Sequence, residues 1–190
     1  MTCRLVVGLG NPGSEYVGTR HNVGFAVLDR LAAETARAFV TRGRALEARG
    51  ERGDAPFVLA KPQTFMNNSG RALRDLLEEL GPQTRLLVVC DDFHLPLGRL
   101  RCRARGSDGG QKGLASAIAL AGRDVPRLRL GIGDPPPSVA AEDYVLRPFR
   151  RSEKAEVEAM LRRATECVLD WLGHGSLERL IAAANASDSR

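Results

Sequence analysis

The strongest constraint on the fold is the run Leu-Leu-Val-Val at residues 86–89, in which apolar and polar side chains do not alternate. A strand with one solvated face alternates, whereas a strand that is covered on both faces is apolar throughout. We therefore expect helices on both sides of the sheet that contains this run. Other short apolar runs alternate along the chain with segments of helical periodicity, which predicts an α/β domain.

The same patterns predict where the elements begin and end. Strands are predicted at residues 4–10, 57–61, 85–90, 99–103 and 127–133, and helices at 22–37, 69–80, 109–120, 152–172 and 177–184. Ser69 and Ser152 are the expected N-caps of their helices. The Arg-Leu-Arg-Leu alternation at 127–130 predicts a strand with a solvated face or a place near the sheet edge. Residues 1–190 are expected to form one domain, with 185–190 as a frayed tail.

Composition suggests an anionic partner without naming it. The chain has 190 residues, a formal net charge of +5, and 25 arginines against three lysines. Arginine binds phosphates through a planar fork of donors, although a G- and C-rich genome would also raise the arginine content. No segment reaches the ~20 apolar residues that cross a bilayer, so no membrane partner is expected. The chain runs at once into a strand and its four cysteines are scattered, which predicts a cytoplasmic protein without a signal peptide.

The first polar segment, Gly-Leu-Gly-Asn-Pro-Gly at residues 8–13, matches the glycine pattern of dinucleotide-binding folds. Dinucleotide binding requires a helix that begins within the glycines and an acidic residue after the second strand, and neither is found here. A plain glycine turn is one alternative. The interpretation that we favour is a loop that presents Asn11 and Tyr16 at the carboxyl edge of the sheet, where open α/β folds bind ligands.

A histidine and a carboxylate form a candidate acid–base pair. His21 lies among turn residues, and a histidine with an ordinary pKa of about 6.5 acts as a general base when another group holds its ring. Asp91 ends the most buried strand and is a candidate for that group. The alternatives are an exposed or capping histidine, and a metal bound by Asp91, Asp92 and His94, whose spacing matches no common ligand signature.

Two further segments are rich in hydrogen-bonding groups. Residues 61–70, Lys-Pro-Gln-Thr-Phe-Met-Asn-Asn-Ser-Gly, contain amides that can orient an ester or, alternatively, cap the following helix. Residues 103–113 bring Arg103, Arg105 and Lys112 to a glycine-rich turn that opens a helix. Backbone N–H groups and cations at such a turn suit a phosphate, although a solvated loop would have the same composition.

Taken together in their order and spacing, these segments resemble the bacterial peptidyl-tRNA hydrolases. Further stretches that carry the resemblance are Asp-Asp-Phe-His-Leu-Pro-Leu-Gly at residues 91–98, Arg-Leu-Arg-Leu-Gly-Ile-Gly at 127–133 and Asp-Tyr-Val-Leu-Arg-Pro-Phe at 143–149. The resemblance implies a mixed, twisted sheet flanked by helices in three layers. It also implies a monomer that hydrolyses the ester between peptide and tRNA with no cofactor, metal or obligate protein partner, so that the tRNA returns to translation.

The resemblance also implies roles for individual residues. His21 corresponds to the base that activates water, Asp91 to the carboxylate that orients it, and Asn11 to the residue that distinguishes N-blocked from free aminoacyl groups. The physical reason for selectivity is that an asparagine oxygen can accept the peptide N–H beside the ester, whereas a free ammonium group needs different solvation. Roles in binding substrate are implied for Tyr16, Phe65, Met66 and Asn67.

The chain departs from the family pattern at one place. Where the family often has His-Asn, this chain has Gln111 and Lys112, and a charged lysine cannot accept a hydrogen bond. Lys112 could contact a tRNA phosphate or stabilise the developing oxyanion instead, and we expect the phosphate contact. Arg147, Arg150 and Arg151 are further candidates for contacting phosphates. The departure leaves a non-catalytic RNA-binding relative as the main competing hypothesis, and a nucleotide-dependent oxidoreductase as a weaker one.

Overall fold

The computed structural model describes residues 2–121 and 124–186, which form a central sheet with helices on both faces. The described strands are β1 (Arg4–Gly8), β2 (Val40–Arg42), β3 (Ala45–Arg52), β4 (Ala55–Pro62), β5 (Arg85–Asp92), β6 (Leu100–Arg103) and β7 (Arg127–Gly131). The described helices are α1 (Val23–Glu34), α2 (Ser69–Leu80), α3 (Lys112–Ala121), α4 (Ala141–Val145), α5 (Lys154–His174) and α6 (Leu177–Asn185). Short 3-10 turns lie at Ser14–Tyr16, Arg20–Asn22, Met66–Asn68 and Arg151–Glu153.

The strand order explains why polar loops that are distant in sequence meet at one edge of the sheet. Across the described residues the order is β2-β3-β4-β1-β5-β7-β6. Strands β4, β1, β5 and β7 are parallel, whereas the pairs β2–β3, β3–β4 and β6–β7 are antiparallel. The predicted α/β class with a mixed sheet is thus confirmed. Because parallel strands end at the same edge, the loops that follow β1, β4, β5 and β7 come together there.

Both faces of strand β5 are buried, as its apolar run predicted. Leu86 and Val88 pack in one cluster with residues of α2 and α3, such as Leu73. Leu87 and Val89 pack in a second cluster with residues of α1 and α5 on the opposite face. At roughly 25 cal/mol for each Å² of apolar surface removed from water, these two layers are the main stabilising term of the domain.

Several predicted boundaries were wrong, and the hairpin β2–β3 and the helix α4 were not predicted. Strand β3 contains small and charged residues such as Ala48 and Glu47, which have a low intrinsic preference for β-strands. They form a strand because they pair antiparallel with β4. The N-caps are Asn68 and Glu153, each next to the predicted serine. Helix α3 begins at Lys112 rather than at residue 109.

Helix α6 extends one residue further than predicted. Asn185 is the last residue of α6, and its side-chain oxygen accepts a hydrogen bond from the Cys102 N–H at 2.8 Å. Its amide also donates to the Cys102 carbonyl at 3.1 Å, so the predicted fraying is wrong at this residue. Ala186 is the C-cap of α6, and residues 187–190 of the predicted tail lie outside the described residues. No described helix is long and apolar enough to cross a membrane.

Candidate active site

A cleft of about 480 Å³ opens at the edge of the sheet where the parallel strands end. Tyr16 is not among the residues that line this cleft. It ends the 3-10 turn Ser14–Tyr16, where its carbonyl accepts a hydrogen bond from the Thr19 hydroxyl at 2.7 Å. The structure thus brings together six of the seven predicted site residues, which are Asn11, His21, Phe65, Met66, Asn67 and Asp91.

The centre of the cleft is a buried histidine–aspartate pair. The Nδ1 atom of His21 lies 2.9 Å from Oδ2 of Asp91. An ionised carboxylate only accepts hydrogen bonds, so Nδ1 is the donor to a carboxylate in that form, and a neutral ring bonded in this way has its lone pair on Nε2. Among the described residues, Nε2 has no hydrogen-bond partner. The pair therefore has the geometry of a general base whose ring is oriented by a carboxylate.

Arg20 holds the turn that carries His21. Its guanidinium group lies 4.5 Å from the ring centre of Tyr144 and 4.6 Å from that of Phe149. It also makes two hydrogen bonds to the carboxylate of Glu153, at 2.9 and 2.8 Å. Cation–π contacts and charge-assisted hydrogen bonds of this kind fix the 3-10 turn immediately before α1. The sequence gives no signal for this role, because the partners of Arg20 lie more than 120 residues away in the chain.

Asn11 has a free donor at the cleft, and its oxygen accepts one hydrogen bond from a neighbouring segment. Its Oδ1 atom accepts a hydrogen bond from the Met66 N–H at 2.9 Å. The side chain of Asn22 fixes the Asn11 backbone, with its oxygen 2.9 Å from the Asn11 N–H and its amide 3.0 Å from the Asn11 carbonyl. Within the described chain, Asn11 Nδ2 has no partner. The Nδ2 group is thus free to donate to a ligand, while one of the two lone pairs of the oxygen is already used.

Asp92 does not share the role of Asp91. One oxygen of Asp92 lies 2.9 Å from Nη1 of Arg129, and the other accepts a hydrogen bond from the His94 N–H at 2.9 Å. These contacts fix the loop that follows β5. In the part of the chain that the structure describes, no group of three or more histidine, cysteine, aspartate or glutamate side chains is arranged to hold a metal ion.

The glycine-rich loop contributes two neighbouring residues to the cleft. Gly109 and Gly110 both have positive φ, 62° and 83°, which delays the start of α3 to Lys112. The Nζ atom of Lys112 lies 2.6 Å from the carboxylate of Glu142 in α4, and both side chains are exposed. Gln111 is buried, and its Nε2 atom lies 3.0 Å from Oδ1 of Asp91. The predicted phosphate contact of Lys112 therefore competes with an existing ion pair.

Four arginines lie on one face of the sheet beside this loop. In the antiparallel register of β6 and β7, Arg101 is opposite Arg129 and Arg103 is opposite Arg127. Directly opposed like charges destabilise a strand pair. Arg127 is only 1% exposed, and burial, together with the charge of Arg129, lowers its pKa. The Arg129 guanidinium bonds to Asp92 and to the Ser107 carbonyl, at 2.9 and 2.7 Å, so this basic surface is continuous with the cleft.

Comparison with known proteins identifies the family. Residues 5–190 match the family model described as peptidyl-tRNA hydrolase. The chain belongs to the peptidyl-tRNA hydrolase family. It is 44% identical over 177 residues to the peptidyl-tRNA hydrolase of Aquifex aeolicus, a match that covers 89% of this chain and 90% of the relative.

Two other members of the family extend the comparison. A rice relative, named as a mitochondrial peptidyl-tRNA hydrolase, is 45% identical over 168 residues, covering 86% of this chain and 67% of the relative. The crystal structure of peptidyl-tRNA hydrolase from Acinetobacter baumannii superimposes with a TM-score of 0.88 at 28% identity, covering 97% of this chain and 95% of that chain. The chain thus matches members of this family both in sequence and in fold, and the resemblance found in the motifs is confirmed.

Proposed function

We propose that this chain hydrolyses the ester between the peptide and the tRNA of peptidyl-tRNA, with His21 as the general base. The single observation that carries the proposal is the buried contact of 2.9 Å between His21 Nδ1 and Asp91 Oδ2 within the cleft. A relative that only binds RNA would have no need to retain this pair. The family matches support the reaction, and the geometry of the pair supports the roles of the two residues.

The proposed reaction begins with a water molecule at Nε2 of His21. The imidazole takes a proton from this water as its oxygen attacks the ester carbonyl carbon, which forms a tetrahedral intermediate. Asp91 stabilises the imidazolium that results, through the Nδ1–H bond. The intermediate then breaks the bond to the ribose oxygen of the terminal nucleotide, which receives the proton from His21. The products are a tRNA with a free hydroxyl and a peptide with a free carboxylic acid, which loses its proton to solvent and becomes a carboxylate.

The start of two helices near the cleft favours the negative charge of the intermediate. Helix α2 begins directly after Asn67 and Asn68, and α3 begins at Lys112, both at the rim of the cleft. The positive end of the helix dipole makes such positions favourable for an anion. Asn67 adds an exposed side-chain amide to the same rim. Hydrogen-bond donors that are already in place lower the barrier, because they do not have to reorient as the negative charge develops.

Selectivity for N-blocked substrates is proposed to rest on Asn11. Its oxygen accepts the Met66 N–H, whereas its Nδ2 group has no partner among the described residues and is free to donate. A blocked amino group carries an acyl carbonyl that can accept this N–H, whereas the ammonium group of a free aminoacyl ester only donates. Two opposed donors leave both groups unsatisfied, and mismatches of this type give strong discrimination.

The surface of opposed arginines is proposed to bind phosphates of the tRNA. Arg103 is exposed and Arg101 half-buried on this face beside the cleft, so these two side chains can reach a phosphate. Arg127, opposite Arg103, is 1% exposed, and Arg129, opposite Arg101, is held by Asp92 and the Ser107 carbonyl. Replacing Arg103 with glutamine should weaken tRNA binding and reduce the salt dependence of log Kd by about one. We also propose that the chain acts as a monomer and that it lies in the cytoplasm. Its four free cysteines are consistent with a reducing compartment.

The decisive experiment measures release of peptide from N-acetyl-aminoacyl-tRNA, with free aminoacyl-tRNA as the comparison substrate. Replacing His21 with alanine should reduce the rate by at least ~100-fold. The matched control is His174→Ala, since His174 lies at the exposed end of α5 and should leave the rate unchanged. Hydrolysis that persists in the His21 variant would refute the proposed mechanism.

A further inference from the structure

Gln111 connects the proposed catalytic carboxylate to the start of a helix. Its Nε2 atom lies 3.0 Å from Oδ1 of Asp91, the oxygen that His21 does not use. Its Oε1 atom lies 2.6 Å from the backbone N–H of Leu114. Both contacts are buried, and Gln111 itself is 7% exposed. One side chain therefore bridges the end of β5 and the first turn of α3.

The chemistry of the two neighbours fixes which end of the amide faces which partner. The N–H of Leu114 is in the first turn of a helix and has no helical acceptor, so it needs an oxygen. The carboxylate of Asp91 accepts hydrogen bonds and so needs an N–H. Only the orientation with Oε1 at Leu114 and Nε2 at Asp91 satisfies both groups. The contact at Asp91 is thus a charge-assisted hydrogen bond from a neutral donor.

Packing leaves the Gln111 side chain little freedom to move. Its Nε2 atom also lies 3.3 Å from the sulfur of Met66, which follows β4. The neighbouring Gly113 allows this close approach, since a Cβ atom at that position would collide with the Met66 sulfur. Nearby charges are engaged elsewhere, because Asp92 pairs with Arg129. In the described structure, Gln111 is therefore the hydrogen-bond donor that holds Oδ1 of Asp91.

We propose that Gln111 is a positioning residue for hydrolysis, acting through Asp91. By holding Oδ1, it prevents rotation of the carboxylate and keeps Oδ2 directed at Nδ1 of His21. Outer partners of this kind keep a catalytic group within the narrow range of productive geometry. The inference rests on the proposed roles of His21 and Asp91. It also assigns a role to one of the two positions at which this chain departs from the family pattern.

The test uses Gln111→Glu, which keeps an oxygen for Leu114 but places a second oxygen against Asp91. The expected result is a kcat about 10-fold lower, with KM within about twofold of the original value, because the change affects orientation rather than binding. The matched control is Gln83→Glu, which makes the same change of charge at an exposed turn before β5. An unchanged kcat, or an effect on KM alone, would overturn the proposal.

A second measurement separates positioning from a general loss of packing. If Gln111 acts through Asp91, the effect of Gln111→Glu on kcat should largely disappear in an Asp91→Asn background. An equal effect in both backgrounds would assign Gln111 a structural role only and overturn the proposal. If Gln111→Glu does not fold, Gln111→Met, which has similar length and no donor, is judged by the same criteria.

A spectroscopic measurement distinguishes failure of this proposal from failure of the proposed function. The His21 Nδ1 proton bonded to Asp91 should give a low-field proton NMR signal, which is assigned by its loss in His21→Ala. We expect Gln111→Glu to shift or broaden this signal and Gln83→Glu to leave it unchanged. An unaltered signal in Gln111→Glu contradicts the positioning role. A shifted signal combined with hydrolysis that persists in His21→Ala would show that Gln111 orients the His21–Asp91 pair but that this pair does not carry the reaction, which refutes the proposed function.

Discussion

The Nδ1 atom of His21 and the Oδ2 atom of Asp91 lie 2.9 Å apart, although 70 positions separate the two residues in the chain. The contact forms because the turn before α1 and the carboxyl end of β5 meet at one edge of the sheet. Replacing Asp91 with asparagine should lower kcat by about 100-fold or more, since asparagine favours the wrong ring tautomer and lacks the charge that stabilises the imidazolium.

This prediction is checked by single-turnover release of peptide with enzyme in excess over N-acetyl-aminoacyl-tRNA. Binding of tRNA, measured separately, should remain within about twofold, because Asp91 is buried beneath the cleft and contacts His21 and Gln111. A reduction of less than tenfold in the rate would mean that the ring of His21 does not depend on the carboxylate.

Replacing Asn11 with aspartate should reduce selectivity between N-blocked and free aminoacyl-tRNA. One carboxylate oxygen can still accept the Met66 N–H, so the local structure is preserved. The other oxygen replaces the Nδ2 donor, which repels an acyl carbonyl and attracts an ammonium group. We expect the ratio of kcat/KM values for the two substrates to fall by at least about 10-fold. Gln83→Glu, an exposed change of the same charge, should leave the ratio unaltered.

The ion pair between Lys112 and Glu142 should limit the affinity of the cleft for tRNA. The hydrogen bond from Lys112, and then its charge, lowers the pKa of Glu142, so the pair is present at neutral pH and is lost only as the pH falls through that lowered value. Glu142→Gln should free the lysine and increase affinity about twofold, whereas Lys112→Asn should weaken binding and reduce the salt slope by about one. Binding curves at several salt concentrations provide the measurement. Equal salt slopes for the original chain and Lys112→Asn would contradict a phosphate contact.

The buried cysteines should resist alkylation in the native protein. Burial raises the pKa of Cys102 to about 12, and burial followed by the charge of Asp91 raises the pKa of Cys90 well above its usual range. Because only the thiolate reacts, iodoacetamide at pH 8 should leave both residues unmodified until the chain is unfolded with guanidinium. Mass spectrometry of the native and unfolded protein measures the result. Rapid modification of native Cys90, next to Asp91 in the sequence, would contradict the burial of this strand end.

Much of the fold was predictable because its central strands have an unambiguous pattern. The run at residues 86–89 required two covered faces, and Leu87 and Val88 do pack in opposite layers. The hairpin β2–β3 was not predictable in the same way. Its residues, such as Glu47 and Arg49, have no alternating apolar pattern, and they become a strand because β4 offers a free edge with which to pair.

Most of the site was also predictable, because its residues lie in short motifs after strands. Tyr16 is the exception among the predicted contacts, since its turn places it outside the cleft. Arg20 and Gln111 illustrate the opposite case. Each acts through partners that a local sequence pattern does not reveal, namely Glu153 for Arg20 and Asp91 for Gln111.

The sequence by itself determined the layered α/β class, the family and the chemical types of the residues at the site. These depend on the local period of apolar residues and on motif spacing, which the chain carries without reference to its tertiary contacts. The tertiary structure alone decided which atoms meet. It gave the Asn11 oxygen to Met66, paired Lys112 with Glu142, and placed Gln111 against Asp91. Hydrogen bonds form between groups within about 3 Å, and such distances between remote residues arise only when the sheet and helices pack.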